Sequence, residues 1–323
     1  MPAPPATASP VRLHIVTGKG GTGKTTVAAA LAIALAAGGR RVLLTEVEGR
    51  QGLAQLFDTP PLPYEERRVA VAAGHGEVIA LAMDPEEALL DYLDMFYNLR
   101  RAGRMLKRLG AVDFATTVAP GMRDVLLTGK LKEAVDRKVD GRLVYDAVVL
   151  DAPPTGRITR FLNVSSEVGT LARVGPVKGQ ADSVMRVIRS SRTAVHLVTV
   201  LEEMPVQETV DGVAQLRAAN LPVGHVVVNM RRAPYGLPAR LPRATVTAGL
   251  KQAGLSTAKP LIEGLLSEAA ELQSRLALEQ RESEELDGLG VPVASLPLLA
   301  GPVDRGGLYR LAEELTAAGM ARR

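Results

Sequence analysis

Residues 18–25 read Gly-Lys-Gly-Gly-Thr-Gly-Lys-Thr. Glycine at 18, 20, 21 and 23 lets successive backbone amides turn toward one point without a β-carbon in the way. Such a turn opening a helix is an anion nest, suited to the phosphates of a nucleotide such as ATP. Lys24 supplies a point charge for the β- and γ-phosphates, and Thr25 a hydroxyl for Mg²⁺. Gly20, Gly21, Thr22, Gly23, Lys24, Thr25 and Thr26 are the expected cofactor contacts. Lys19 is surplus to this grip, because Lys24 already takes the phosphate side.

A second group of residues fits the same chemistry. The apolar run 145–150 ends in Asp151-Ala152-Pro153-Pro154-Thr155-Gly156. An acid at the end of a buried strand holds Mg²⁺ through water, which makes Asp151 the metal partner of Thr25. Gly156 offers a backbone amide to the γ-phosphate. The four histidines, His14, His75, His196 and His225, show no metal-ligand spacing. Three of them lie in expected strands and read as structural.

These residues need a frame. Residues 11–17 read as a first strand, and the phosphate loop then leads into an apolar helix to about residue 37. Strands are expected at 41–46, after the helix stop at Gly38-Gly39, and at 77–83, 145–151, 194–201, 223–229 and 291–296. Helices are expected at about 206–219, 262–285 and 308–318. Residues 85–139 read as mostly helical, broken near Gly103, Gly110 and 119–121. Residues 231–245, rich in proline and arginine, read as a surface loop. Strands alternating with helices predict an α/β fold, a doubly wound, mainly parallel sheet of the P-loop NTPase type. We take residues 1–10 as a disordered tail and 11–323 as one domain, with 85–139 a helical insertion.

The composition narrows the function classes. The 323 residues carry 39 basic and 35 acidic side chains, a formal net charge of +4. That balance is too even for a nucleic-acid-binding face, so no nucleic-acid partner is expected. The absence of cysteine excludes disulfides, thiolate metal sites and iron–sulfur clusters. No integral membrane segment is evident, and the expected location is cytoplasmic.

The phosphate loop, the Asp-Ala-Pro-Pro-Thr-Gly string and Val226-Val227-Val228-Asn229 resemble the ArsA-type ATPases, with Pro120-Gly121 and Leu296-Pro297-Leu298-Leu299 matching further segments. This family includes the arsenical-pump ATPase and the factor that delivers tail-anchored proteins. The likeness spans most of residues 11–317 and is strongest to the paired ArsA-like ATPases of mycobacteria and their relatives. It implies a Mg-ATP-driven dimeric switch that opens and closes a partner surface. It further implies a deviant Walker A loop whose Lys19 crosses onto the nucleotide of a second subunit, identical or paralogous. Asn229 would lie by the adenine.

The family's water-positioning Asp falls at Glu48 when Leu53 and Phe57 anchor the alignment, with Glu46 the alternative on the same face. Glu is about 1.5 Å longer than Asp, and such a displacement implies slow hydrolysis. Without cysteine, neither a metalloid thiolate site nor a zinc clasp can form. In the insertion Leu89, Leu90, Leu93, Phe96 and Leu99, then Met105, Leu106 and Leu109, recur near helical spacing, either as core or as a client-protein surface. Two other classes share the extra lysine or the loop. One is a positioning ATPase of the MinD or ParA kind, which would need an exposed amphipathic end or a basic face. The other is a nucleotide-binding scaffold subunit of a hetero-oligomer.

Overall fold

The computed structural model describes residues 11–47, 49, 51–97, 121–171, 176–233, 236, 238 and 240–321. In chain order the elements are β1 (Leu13–Gly18), α1 (Lys24–Ala36), β2 (Arg41–Glu46), α2 (Gly52–Leu56), β3 (Arg67–Ala72), β4 (Gly76–Ala82) and α3 (Pro85–Tyr97). There follow α4 (Met122–Asp136), β5 (Lys138–Val139), β6 (Arg142–Leu143), β7 (Ala147–Asp151), α5 (Thr155–Leu171), α6 (Pro176–Ile188) and β8 (Thr193–Thr199). The chain closes with α7 (Glu203–Ala218), β9 (Val223–Arg231), α8 (Arg243–Gln252), α9 (Lys259–Asp287), β10 (Val293–Pro297) and α10 (Arg305–Ala317).

Eight strands form one sheet in the order β10-β9-β8-β1-β7-β2-β4-β3, and β5 and β6 make a separate small hairpin. Every neighbouring pair in the large sheet is parallel except β3 with β4. The expected doubly wound sheet is therefore present, with one antiparallel edge strand that the sequence reading omits. Arg67-Arg68-Val69-Ala70-Val71-Ala72 opens on two charges and buries only Ala72 fully, because an edge strand need bury only one side. Helices α2, α5, α6 and α8 also go beyond the expected set. Residues 243–245, read as loop, instead start α8, in which no residue is buried.

The sheet carries a core on each face. On one side, α1 and α10 cover Val16, Leu44, Val78, Val149, Val198 and Val227. Ten consecutive residues of α1, 27–36, are buried. This helix has no polar side because the sheet takes one face and α10 the other. Leu308, Leu311 and Leu315 of α10 are buried, so the closing helix is docked and does not present that stripe to a membrane. The second core includes Ile15, Leu43, Ile79 and Val148 with Phe161 of α5 and Val213 of α7. Leu127, Leu131, Ala134 and Val135 of α4 join it, so the last helix of the 85–139 region is a layer of the sheet's own core. Leu89 and Leu90 are half-buried, and beyond them the apolar stripe of that region falls outside the described side chains.

Three of the four histidines meet on adjacent strands. His14 Nδ1 and His196 Nε2 stand 3.1 Å apart, and the His225 backbone N–H donates to His196 Nδ1 at 3.1 Å. That acceptor role places the His196 proton on Nε2, from which it is donated to His14. The ring centroids of His14 and His196 lie 5.4 Å apart in a stacked pair. Burial pushes His14 down to about 4 and drives His196 well below the ordinary imidazole range. His14 and His196 form a neutral, buried, hydrogen-bonded pair that the half-buried His225 joins through its backbone N–H, as expected of structural histidines.

Candidate nucleotide site

The phosphate loop leaves the tip of β1 at the middle of the sheet. Gly18 has φ +154°, and a β-carbon there would lie 2.2 Å from the Val198 carbonyl oxygen, so β8 presses directly on the loop's first residue. The Thr22 hydroxyl donates to the Lys19 carbonyl at 2.8 Å, closing the turn on itself. Gly23 caps α1 in the left-handed region at φ +86°. A β-carbon on Gly23 would stand 2.3 Å from Asn229 Nδ2. Lys24, Thr25 and Thr26 form the first turn of α1, and all three are partly exposed. Gly20 and Gly21 are open to solvent, and a β-carbon on either would meet nothing within 4 Å. The amide-rich turn therefore faces outward at a helix N-terminus, where a phosphate group gains both the orphan N–H donors and the helix dipole.

Asp151 reaches this turn from the neighbouring strand. The β1–β7 register pairs Val16 with Asp151, and the Ala152 N–H donates to the Val16 carbonyl at 2.9 Å. Thr25 Oγ1 donates to Asp151 Oδ2 at 2.6 Å. The two residues expected to share a metal are thus in direct contact, across 126 positions of sequence. Beyond Asp151, the Pro153 carbonyl accepts from the Thr17 hydroxyl at 2.7 Å. That bond fixes the Pro153-Pro154 turn beside the phosphate loop and sets Gly156 in the first turn of α5. No bulk stands above Gly156, where a β-carbon would meet nothing within 4 Å.

Glu46 enters from the other side. It ends β2, pairs in register with Asp151, and is only 4% exposed. Its Oε2 accepts from the Leu53 N–H at 3.1 Å, which ties β2 to the start of α2. Glu48, expected to position the water, falls outside the described residues. Just before it, the Val47 carbonyl accepts from Arg123 of α4 at 3.2 Å.

Two partners of the site were invisible to motif reading. Lys19 Nζ forms an ion pair with Glu208 of α7 at 2.8 Å, so in the single chain this lysine is held against its own α7. Asn229, expected by the adenine, donates from Nδ2 to the Thr22 carbonyl at 2.9 Å and braces the phosphate loop from β9. Glu208 is one of several acids on the outer side of α7, and nothing in its local pattern marks it. The Asn229 contact follows from β9 lying two strands from β1, which needs the sheet order. Among the described residues there is no group of three or more His, Cys, Asp or Glu side chains able to hold a metal unaided.

Among the described residues, no helix is long and apolar enough to cross a membrane. Residues 11–190 match the family described as anion-transporting ATPase, the ArsA ATPases. The chain is 52% identical to ATPase BagA of Mycobacterium tuberculosis over 325 residues, covering 98% of this chain and 96% of that protein. A putative ATPase of Mycobacterium bovis matches with the same identity and coverage. The arsenical pump-driving ATPase of Acidiphilium multivorum is 28% identical over 305 residues, 91% of this chain but 47% of that longer protein. With a phosphate loop on the tip of a central parallel strand, an acid beside its threonine, and a family match over more than half its length, the chain belongs to the ArsA-type family of anion-transporting ATPases and hydrolyses ATP.

Proposed function

We propose that this ATPase is a Mg²⁺-dependent switch that works as a pair of subunits and turns over slowly. The observation that carries the reading is the 2.6 Å bond between Thr25 Oγ1 and Asp151 Oδ2. A hydroxyl and a carboxylate in contact at a helix N-terminus fit the hard oxygen preference of Mg²⁺. Thr25 would bind the ion and Asp151 would hold its water. The ion, held there by Thr25 and Asp151, would supply positive charge against the negative charge that develops on the phosphates.

The chain's own residues do the rest. The amides of Gly20, Gly21, Thr22 and Gly23 bind the phosphates, Lys24 places its ammonium on them, and Thr26 closes the first turn. Gly156 offers its N–H to the γ-phosphate, and Glu48 orients the attacking water. Asn229 contacts the adenine with the part of its amide not committed to Thr22. Lys19 leaves Glu208 and crosses to the nucleotide of the second subunit, an identical or homologous chain. A protein client at the 85–139 region and a cytoplasmic location complete the proposal.

The test is mass measurement by light scattering with and without a non-hydrolysable ATP analogue, combined with Lys19→Met. Nucleotide-induced pairing is expected, in the chain alone or with a homologous subunit. Lys19→Met should keep ATP binding and lose turnover. A chain that stays monomeric at high concentration, yet hydrolyses ATP at the same rate with Lys19→Met, overturns the paired arrangement.

A further inference from the structure

The most unusual polar atom near the phosphate loop is Glu46 Oε1. It is buried, and among the described residues no hydrogen-bond partner meets it. The other oxygen of the same carboxylate is engaged by the Leu53 N–H. A buried carboxylate oxygen with no donor is costly to keep, because it has given up water and received nothing in return. Such an atom is retained where a ligand completes it.

Its surroundings say which ligand. Glu46 pairs in register with Asp151 on the adjacent parallel strand, and Asp151 touches Thr25. A β-carbon built on Gly52 would stand 3.7 Å from Glu46 Oε2 and 3.7 Å from Thr25 Oγ1, so the carboxylate and the hydroxyl face one small space. Glu46 and Asp151 thus end neighbouring strands in register, and the Thr25 hydroxyl of the phosphate nest touches Asp151 and lies near the Glu46 carboxylate. Two like charges so close favour a cation between or beside them.

We propose that Glu46 is a second acidic anchor for the divalent cation, accepting through Oε1 a hydrogen bond from a water of the hydrated ion. Asp151 holds one part of the hydration shell and Glu46 another. Glu46 is thus a positioning residue, distinct from the water-orienting role assigned to Glu48. The inference rests on the Mg²⁺ reading of Thr25 and Asp151.

The experiment titrates Mg²⁺ against binding of a fluorescent ATP analogue, with the full chain, the Glu46→Gln and Glu46→Asp variants, and an EDTA control. Loss of a hydrogen-bonding partner to a metal's ligands typically weakens the metal by 10–100-fold, so Glu46→Gln should raise the half-saturating Mg²⁺ by about 10-fold or more. Analogue binding in EDTA should not change, which also reports that the variant is folded. Glu46→Asp keeps the charge and should fall between. If the parent itself shows no response to Mg²⁺, the underlying site reading fails. If the parent responds and Glu46→Gln responds identically, this inference alone is overturned. A variant with slower turnover but an unchanged Mg²⁺ requirement also overturns it, and moves Glu46 to the attacking water.

Discussion

Gly23→Ala tests the phosphate loop at its tightest point. The β-carbon would stand 2.3 Å from Asn229 Nδ2, well inside any real contact, so Asn229 must swing away. Its bond to the Thr22 carbonyl then breaks, and both groups are buried. Leaving such a pair unsatisfied costs about 1–3 kcal/mol. Alanine at φ +86° adds about 1–2 kcal/mol of backbone strain. The total of about 2–5 kcal/mol corresponds to a loss of at least about 30-fold in nucleotide affinity, if the strain is released by distorting the loop.

The assay is equilibrium titration with a fluorescent ATP analogue, run beside urea unfolding. Asn229→Ala in the same chain removes the clash but not the strain. The Gly23→Ala/Asn229→Ala double variant should therefore lose less affinity than the sum of the singles, with a coupling of about 1–3 kcal/mol. A Gly23→Ala protein that binds the analogue within threefold of the parent would refute the reasoning. So would strict additivity of the two changes.

Three further outcomes follow from the same structure. The Lys19–Glu208 pair is partly exposed at both ends, 30% and 39%, so Glu208→Gln should shift the urea midpoint by no more than about 1 kcal/mol of stability. By contrast, removing a cation that acts on the transition state costs about 10³–10⁵ in rate, so Lys19→Met should show a turnover deficit far larger than Glu208→Gln. The histidine ladder makes stability pH-dependent. His14 titrates at about 4 when folded and near 6.5 when unfolded, so between those values the unfolded chain binds more protons. Stability should then fall as pH drops from 6.5 toward 4, by on the order of 1–2 kcal/mol from His14 alone between pH 6.5 and 5. A flat urea midpoint across that interval would contradict the buried neutral ladder.

The parallel strands were legible because burial on both faces leaves an uninterrupted apolar run, as in Val226-Val227-Val228. The phosphate loop and Asp151 were legible because their chemistry needs glycines, a lysine and an acid at set distances from strand ends. Strand β3 was not, because its apolar run at 69–73 is alanine-rich, opens on Arg67 and Arg68, and stays mostly exposed or half-buried at the sheet edge. Helix α8 was masked by the proline- and arginine-rich stretch before it and by having no buried side. The Glu208 and Asn229 contacts depend on which elements stand beside β1, and sheet order cannot be read from any one segment. Glu46 was legible only as a second choice. What sets it apart is an orphaned oxygen, and burial of a single atom has no sequence signature.

Helix α1 runs from the phosphate loop through ten successive buried residues, clamped between the sheet and α10. Six of those ten are alanine, which lets both neighbours approach closely. At its far end the Ala36 carbonyl sits where a β-carbon on Gly76 would be, 1.8 Å away, so even the start of β4 is fitted to it. A strut seated this closely along its length cannot tilt without opening the interior. The phosphate loop, which starts this strut, is thereby held in one position relative to the sheet.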